Sequence, residues 1–265
     1  MMLTVYFSGT GNTAYIAELF AAQMGGKCLS IEDEANFSAE FAAADTIAFC
    51  YPIYGSRAPL IMRQFAARHS ACLQGKKVAI FVTQLTFSGD GAMIFADLFP
   101  KGHFHVIYAA HFYMPNNICN FSLLRKTGEN SIRKRMRMAE NKVARICRDI
   151  SGGIVRLRGA SGFARLLGNI QGKPWQGDST GAEAMPGTME AKAKAGVKID
   201  EDCTVCGLCI AACPMKNLEM ADGAITHNSN CTVCYRCVNL CPHRAITTFF
   251  HSKPQWQYKG LSQKS

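Results

Sequence analysis

Eight of the chain's 13 cysteines lie between residues 203 and 241, in two copies of one pattern: CTVCGLCIAACP from 203 and CTVCYRCVNLCP from 231. The spacing is CxxCxxCxxxC in both, given by Cys203, Cys206, Cys209 and Cys213, then Cys231, Cys234, Cys237 and Cys241. Three thiolates at three-residue intervals on a tight loop can surround one cubic iron–sulfur core, because such cores take four soft anionic ligands. The fourth cannot easily close on the same cube. One helical turn carries it ~6 Å away, toward the other repeat, and Pro214 and Pro242 then end those turns. Structural zinc would instead call for CxxC pairs separated by a longer loop. The remaining five, Cys28, Cys50, Cys72, Cys119 and Cys147, are scattered and read as small buried hydrophobes.

The two runs resemble, position by position, the bacterial two-cluster ferredoxins, in which the fourth cysteine of each run serves the other cluster. The resemblance implies one 4Fe-4S cluster on Cys203, Cys206, Cys209 and Cys241, and a second on Cys231, Cys234, Cys237 and Cys213. Two cubes in one compact module serve best as stepping stones for single electrons.

Upstream, strand and helix signals alternate, as in a parallel sheet covered on both faces. Strands are predicted at 2–7, 27–31, 46–52, 76–84 and 103–112, with helices at 14–24, 58–69, 91–99 and 131–150. The first turn reads FSGTGNTAYIAELF from residue 7. It lacks the GKS or GKT ending of a nucleoside triphosphate loop. Gly9, Gly11 and Ala14 do fit the dinucleotide pattern GxGxxA, and Glu32 lies where a ribose ligand would sit. Against that reading stand the hydroxyls. Ser8, Thr10 and Thr13, with Asn12 between them, form a cup at a helix N-terminus suited to one terminal phosphate.

SGTGNT resembles the phosphate loop of flavodoxins, which bind flavin mononucleotide (FMN) on a sheet of order 2-1-3-4-5. That family implies FMN contacts at Ser8, Gly9, Thr10, Gly11, Asn12 and Thr13. It implies others at Pro52, Ile53, Tyr54 and Gly55 after strand 3, and at Thr83, Gln84, Phe87, Ser88, Gly89 and Asp90 around the turn after strand 4. Tyr51 or Tyr54 could stack on the flavin, with core packing the competing role for Tyr51. The loop after strand 4 lacks the tyrosine-bearing acidic segment usual in flavodoxins. The expected fold is therefore α/β, a five-stranded doubly wound flavodoxin-like sheet joined to a small α+β two-cluster ferredoxin domain. Domains are expected at 1–150 and 196–250, with a basic Gly/Ser/Lys-containing connector at 151–195 that holds a helical piece near FARLLGNI, and a loose tail at 251–265. The whole arrangement, with PMKNLEM at 214–220 and MPNN at 114–117, resembles the bacterial EFR1 family ferredoxins.

Flavins exchange electrons singly or in pairs and iron–sulfur cubes exchange them singly. The expected function is thus electron transfer between FMN, two 4Fe-4S clusters and a redox partner. A flavin reductase of a quinone or nitro compound is the alternative, and a redox-sensing nucleic-acid binder a minor one. His103, His105 and His111 read as satisfied core or edge histidines, and no catalytic constellation emerges.

The formal charge of +10 is concentrated at 125–165, where 12 Lys or Arg face 3 acids. Two clusters near −2 each and a flavin phosphate bring the loaded protein to about +4. The basic stretch then reads as a dock for an acidic redox partner, with nucleic acid disfavoured. No stretch of about 20 apolar residues occurs, and with no basic leader before the first strand a cytoplasmic, non-spanning protein is expected.

Overall fold

A computed structural model describes residues 1–177 and 181–261. Strands β1 (Met2–Tyr6), β2 (Lys27–Ser30), β3 (Thr46–Pro52), β4 (Lys77–Gln84), β5 (His105–Tyr113) and β6 (Arg156–Leu157) form one sheet. Its order is β2-β1-β3-β4-β5-β6 and every pairing is parallel. The expected 2-1-3-4-5 sheet is present, extended by the two-residue β6 at its edge. The central strands are buried on both faces, which is why MLTVY, TIAFCYP and KVAIFVTQ read as nearly continuous apolar runs.

Helices α1 (Asn12–Met24) and α4 (Glu129–Ser151) cover one face, where Ile16 and Phe20 pack with Ala139, Val143 and Ile146. Helices α2 (Phe37–Ala43) and α3 (Leu60–Arg68) cover the other, bringing Phe37, Phe41, Met62 and Phe65 into a second core. Helix α2 escaped the sequence reading. It is short, and its start signal is Asn36, whose Oδ1 accepts from the Ala39 N–H at 3.1 Å. The helix expected at 91–99 is a 3-10 turn over Met93–Leu98.

The segment read as a connector holds two further helices, α5 (Gly162–Gln176) and α6 (Met189–Ala195). Both are tied to the first domain. Arg63 of α3 meets Glu190 of α6 in a two-pronged pair at 2.9 and 2.7 Å, with both side chains buried. Arg57 donates to Asn169 Oδ1 of α5 at 2.8 Å.

The C-terminal module follows its internal repeat closely. Strand β7 (Val197–Ile199) pairs antiparallel with β10 (Ile246–Thr248), and β8 (Leu218–Ala221) with β9 (Ala224–His227). Helices α7 (Leu208–Ala212) and α8 (Arg236–Leu240) pack together between them. Positive φ recurs at matched positions 28 residues apart: Val205 and Val233, Gly207 and Tyr235, Lys216 and Arg244. Sulfur acceptors match too, with Asn217 N–H donating to Cys213 Sγ and Ala245 N–H to Cys241 Sγ, each at 3.3 Å.

The tail expected to be loose is held down as far as residue 261, and residues 262–265 lie outside the described residues. Gln257 Nε2 donates to Val238 O at 3.0 Å, and Tyr258 N–H donates to Asn239 Oδ1 at 2.6 Å. The Tyr258 hydroxyl reaches Asn12 Oδ1 at 2.6 Å, across 246 positions of sequence. No helix among the described residues is long and apolar enough to cross a membrane.

Candidate functional site

A cavity of about 480 Å³ opens at the carboxyl edge of the sheet, within the range of small-molecule and cofactor sites. Its floor is the turn into α1. Ser8, Gly9, Thr10, Asn12 and Thr13 line it, and so do Pro52, Ile53, Tyr54 and Gly55 after β3 and Thr83 and Gln84 at the end of β4.

The cup is held by its own hydrogen bonds. Gly11 N–H donates to Ser8 Oγ at 3.1 Å, the Thr13 and Thr83 hydroxyls meet at 2.8 Å, and Asn117 Nδ2 donates to Thr10 Oγ1 at 2.9 Å. Helix α1 begins directly behind it with no side-chain cap. Its first N–H groups are therefore available to an anion, with the helix dipole in support.

Five expected contacts are not brought to the cavity wall. Gly11 turns the chain behind the cup at φ 95°. Phe87 is 40% exposed outside the lining. Ser88 faces His111 and Gln84 instead. Gly89 is the seat of α5, whose Gly168 N and Ala164 O would collide with any side chain there. Asp90 lies in a separate polar cavity with Arg57, Arg63 and Arg165. Its carboxyl is raised above the usual range by burial, against the pull of Arg57. Tyr51 belongs to the core, 0% exposed and donating to Gly91 O at 3.0 Å.

Other lining residues come from segments that strand-by-strand reading does not connect to the site. The loop after β5 supplies Met114, Pro115, Asn116 and Asn117, of which MPNN was the sequence trace. Helix α5 supplies Ile170, Pro174 and Trp175, and the cysteine-rich module supplies Val233, Tyr235, Phe249 and Phe250. Three side-chain protons in this lining are buried with no acceptor among the described residues: those of the Tyr54 and Tyr235 hydroxyls and of Trp175 Nε1.

The cysteines gather in the crossed sets. Cys203, Cys206, Cys209 and Cys241 line one small cavity, while Cys213, Cys231, Cys234 and Cys237 line another. Among the described residues no His, Cys, Asp or Glu side chains are grouped as ligands of a single metal ion. The second quartet is the deeper, with Cys234 and Cys237 only 7% and 9% exposed, whereas Cys206 is at the surface. Burial pushes the Cys234 thiol up to about 12, so soft-metal binding there must expel its proton.

The second quartet abuts the phosphate cup. A Cβ on Gly9 would meet Cys234 O at 2.5 Å, so only glycine permits the approach. Arg236, two residues on, donates to Ser8 O at 2.8 Å and Gly9 O at 3.1 Å and grips Glu32 with two bonds of 2.8 Å. Glu32, which a dinucleotide ribose would need, is thereby engaged.

A flavodoxin domain model matches residues 3–140. The chain belongs to the flavodoxin domain family. A 4Fe-4S dicluster domain matches residues 195–243. The flavodoxin domain implies FMN and the dicluster domain implies iron–sulfur clusters, and together they give the chain an electron-transfer role. No curated protein matches the chain.

Among solved structures, a flavodoxin from the domain Archaea is 19% identical, covering 56% of this chain and 98% of its own, with a TM-score of 0.38. Flavodoxin 2 from Bacillus cereus is 20% identical, at 55% and 98% coverage and 0.34. Megasphaera elsdenii flavodoxin is 22% identical, at 54% and 99% coverage and 0.34.

The cavity's donor set suits FMN. A hydroxyl-rich cup at a helix N-terminus, a largely apolar lining and buried side-chain donors with no acceptor among the described residues match a phosphate, a flat ring and a ring edge rich in acceptors. The quartets suit iron–sulfur cubes in the same way, each offering four thiols around a void.

Proposed function

We propose that this protein relays electrons between FMN, two 4Fe-4S clusters and an external redox partner, as expected of an EFR1 family ferredoxin. Ser8, Gly9, Thr10, Asn12 and Thr13 would hold the phosphate, with Pro52, Ile53, Tyr54, Gly55, Thr83 and Gln84 around the rest of the cofactor. Cys203, Cys206, Cys209 and Cys241 would hold one cluster, and Cys213, Cys231, Cys234 and Cys237 the other. Bound flavin would supply exchange of electrons in pairs or singly, and the cubes single-electron steps.

One observation carries this reading: Tyr235 lines both the large cavity and the cavity of the second quartet. The two sites are therefore adjacent, which favours short-range exchange between them. The more exposed quartet, with Cys206 at the surface, then lies on the far side as the outlet to a partner.

Helices α4 and α5 offer the other docking face. Arg133, Lys134, Arg137, Arg145 and Arg148 are exposed along α4, and Phe163, Leu166 and Ile170 along α5. Arg135 of α4 donates to Leu85 O and Met114 O, both at the cavity wall. Basic side chains on α4 and apolar ones on α5, each helix with a residue at or against the cavity wall, fit an acidic redox protein. The largely apolar lining also favours a second reading, reduction of a small quinone or nitro compound at the flavin.

Anaerobic protein should contain eight irons and one FMN per chain, and reductant added to it should bleach both chromophores. Zinc in place of iron, or no yellow chromophore on denaturation, would sink the proposal. Fast turnover of a small acceptor without any partner protein would select the second reading.

A further inference from the structure

Trp175 and Tyr235 are 7% and 4% exposed, they line the large cavity, and the Trp175 N–H and Tyr235 O–H have no acceptor among the described residues. Tyr54 adds a third such proton from the loop after β3. Burying three such donors around one cavity costs stability unless something accepts from them. The packing keeps at least two of them in place. Trp175 sits on Gly55 and edge-on to Phe249 at 5.3 Å, and Tyr235 opens α8 immediately after Cys234.

On the reading that the cavity holds FMN, we propose that Tyr54, Trp175 and Tyr235 form the recognition set for the acceptor-rich edge of the flavin ring. The edge of an isoalloxazine carries two carbonyl oxygens and bare ring nitrogens against a single N–H, and so complements three donors. Two of the three lie outside the span that matches the flavodoxin domain, one in the segment joining the two matches and one in the iron–sulfur module. The flavodoxin domain alone therefore holds the phosphate but does not complete the ring site.

The test uses the full chain, loaded with clusters and depleted of flavin, titrated with FMN and then with riboflavin, which lacks the phosphate. Tyr235→Phe and Tyr54→Phe remove one proton each with little change of shape, and Trp175→Phe does so from a different helix. Each should weaken binding roughly three- to tenfold, by the same factor for both flavins, with iron content unchanged. Donors on the ring edge also favour added electron density there, so the flavin midpoint potential should fall in the Tyr235→Phe protein.

Unchanged affinity in all three variants would overturn the proposal, water then being the acceptor. A loss seen with FMN but not with riboflavin would overturn it too, since the donors would be serving the phosphate. A wild-type chain that binds neither flavin would instead remove the FMN reading on which the proposal rests.

Discussion

His111 is 2% exposed, and its Nε2 accepts from Ala92 N–H at 3.2 Å, which leaves Nδ1 to carry the ring proton toward Ser88 Oγ at 3.4 Å. Burial first, and then Arg158 and Lys142, push its pKa down to about 3. The unfolded chain would take up that proton near 6.5, so it binds more protons than the fold between about pH 6.5 and 3, and stability falls as pH drops through that window. His111→Asn, which cannot charge, is expected to flatten the decline between pH 6.5 and 5 in urea unfolding followed by circular dichroism. A slope identical to wild type would refute this. Its place in a buried strand, with no matching ligand cluster elsewhere in the sequence, predicted a satisfied histidine. The identity of its partners was beyond that reading, because Ala92 and Ser88 meet it only once the turn after β4 folds over.

Helix α5 shows why an element can be only half legible: FARLLGNI suggests a helical piece, and the structure extends it to Gln176. Gly162, Gly168, Gly172 and Pro174 lower helix propensity, so most of the segment read as a connector. In the fold Gly168 and Gly172 are contact points. Asp90 packs on Gly168 and Arg57 on Gly172, while α5 backbone packs on Gly89. Sequence periodicity registers apolar side chains facing a core, and it does not register bare backbone seated against backbone. The cysteine quartets were legible for the opposite reason, since ligand chemistry fixes both residue type and spacing. Gly89→Ala should push α5 off its seat, costing about 1–3 kcal/mol of stability and drawing Trp175 out of the cavity. Faster proteolysis in 151–177 and weaker FMN binding would register it, and unchanged values for both would remove α5 from the site.

At the scale of the whole molecule, the large cavity and the second quartet share one stretch of chain. Val233 and Tyr235 flank Cys234, and Phe249 follows Thr248, which itself lines the quartet's cavity. Flavin and cluster should therefore support one another, each binding better when the other is present. Anaerobic removal of iron is expected to weaken FMN binding roughly tenfold or more, an energy of about 1.4 kcal/mol, as read by recovery of flavin fluorescence. Equal affinity with and without iron would show that the wall stands unaided.

The bond from Tyr258 to Asn12 has a consequence for how such a chain comes into being. A ribosome adding about 5–20 residues per second delivers the cup tens of seconds before the tyrosine that buttresses it. Throughout that interval the newborn flavodoxin half stands with its pocket roofless and its glycine turn bathed in solvent. Nucleotide captured then would be free to leave again, and retention would begin only after the last segment docks.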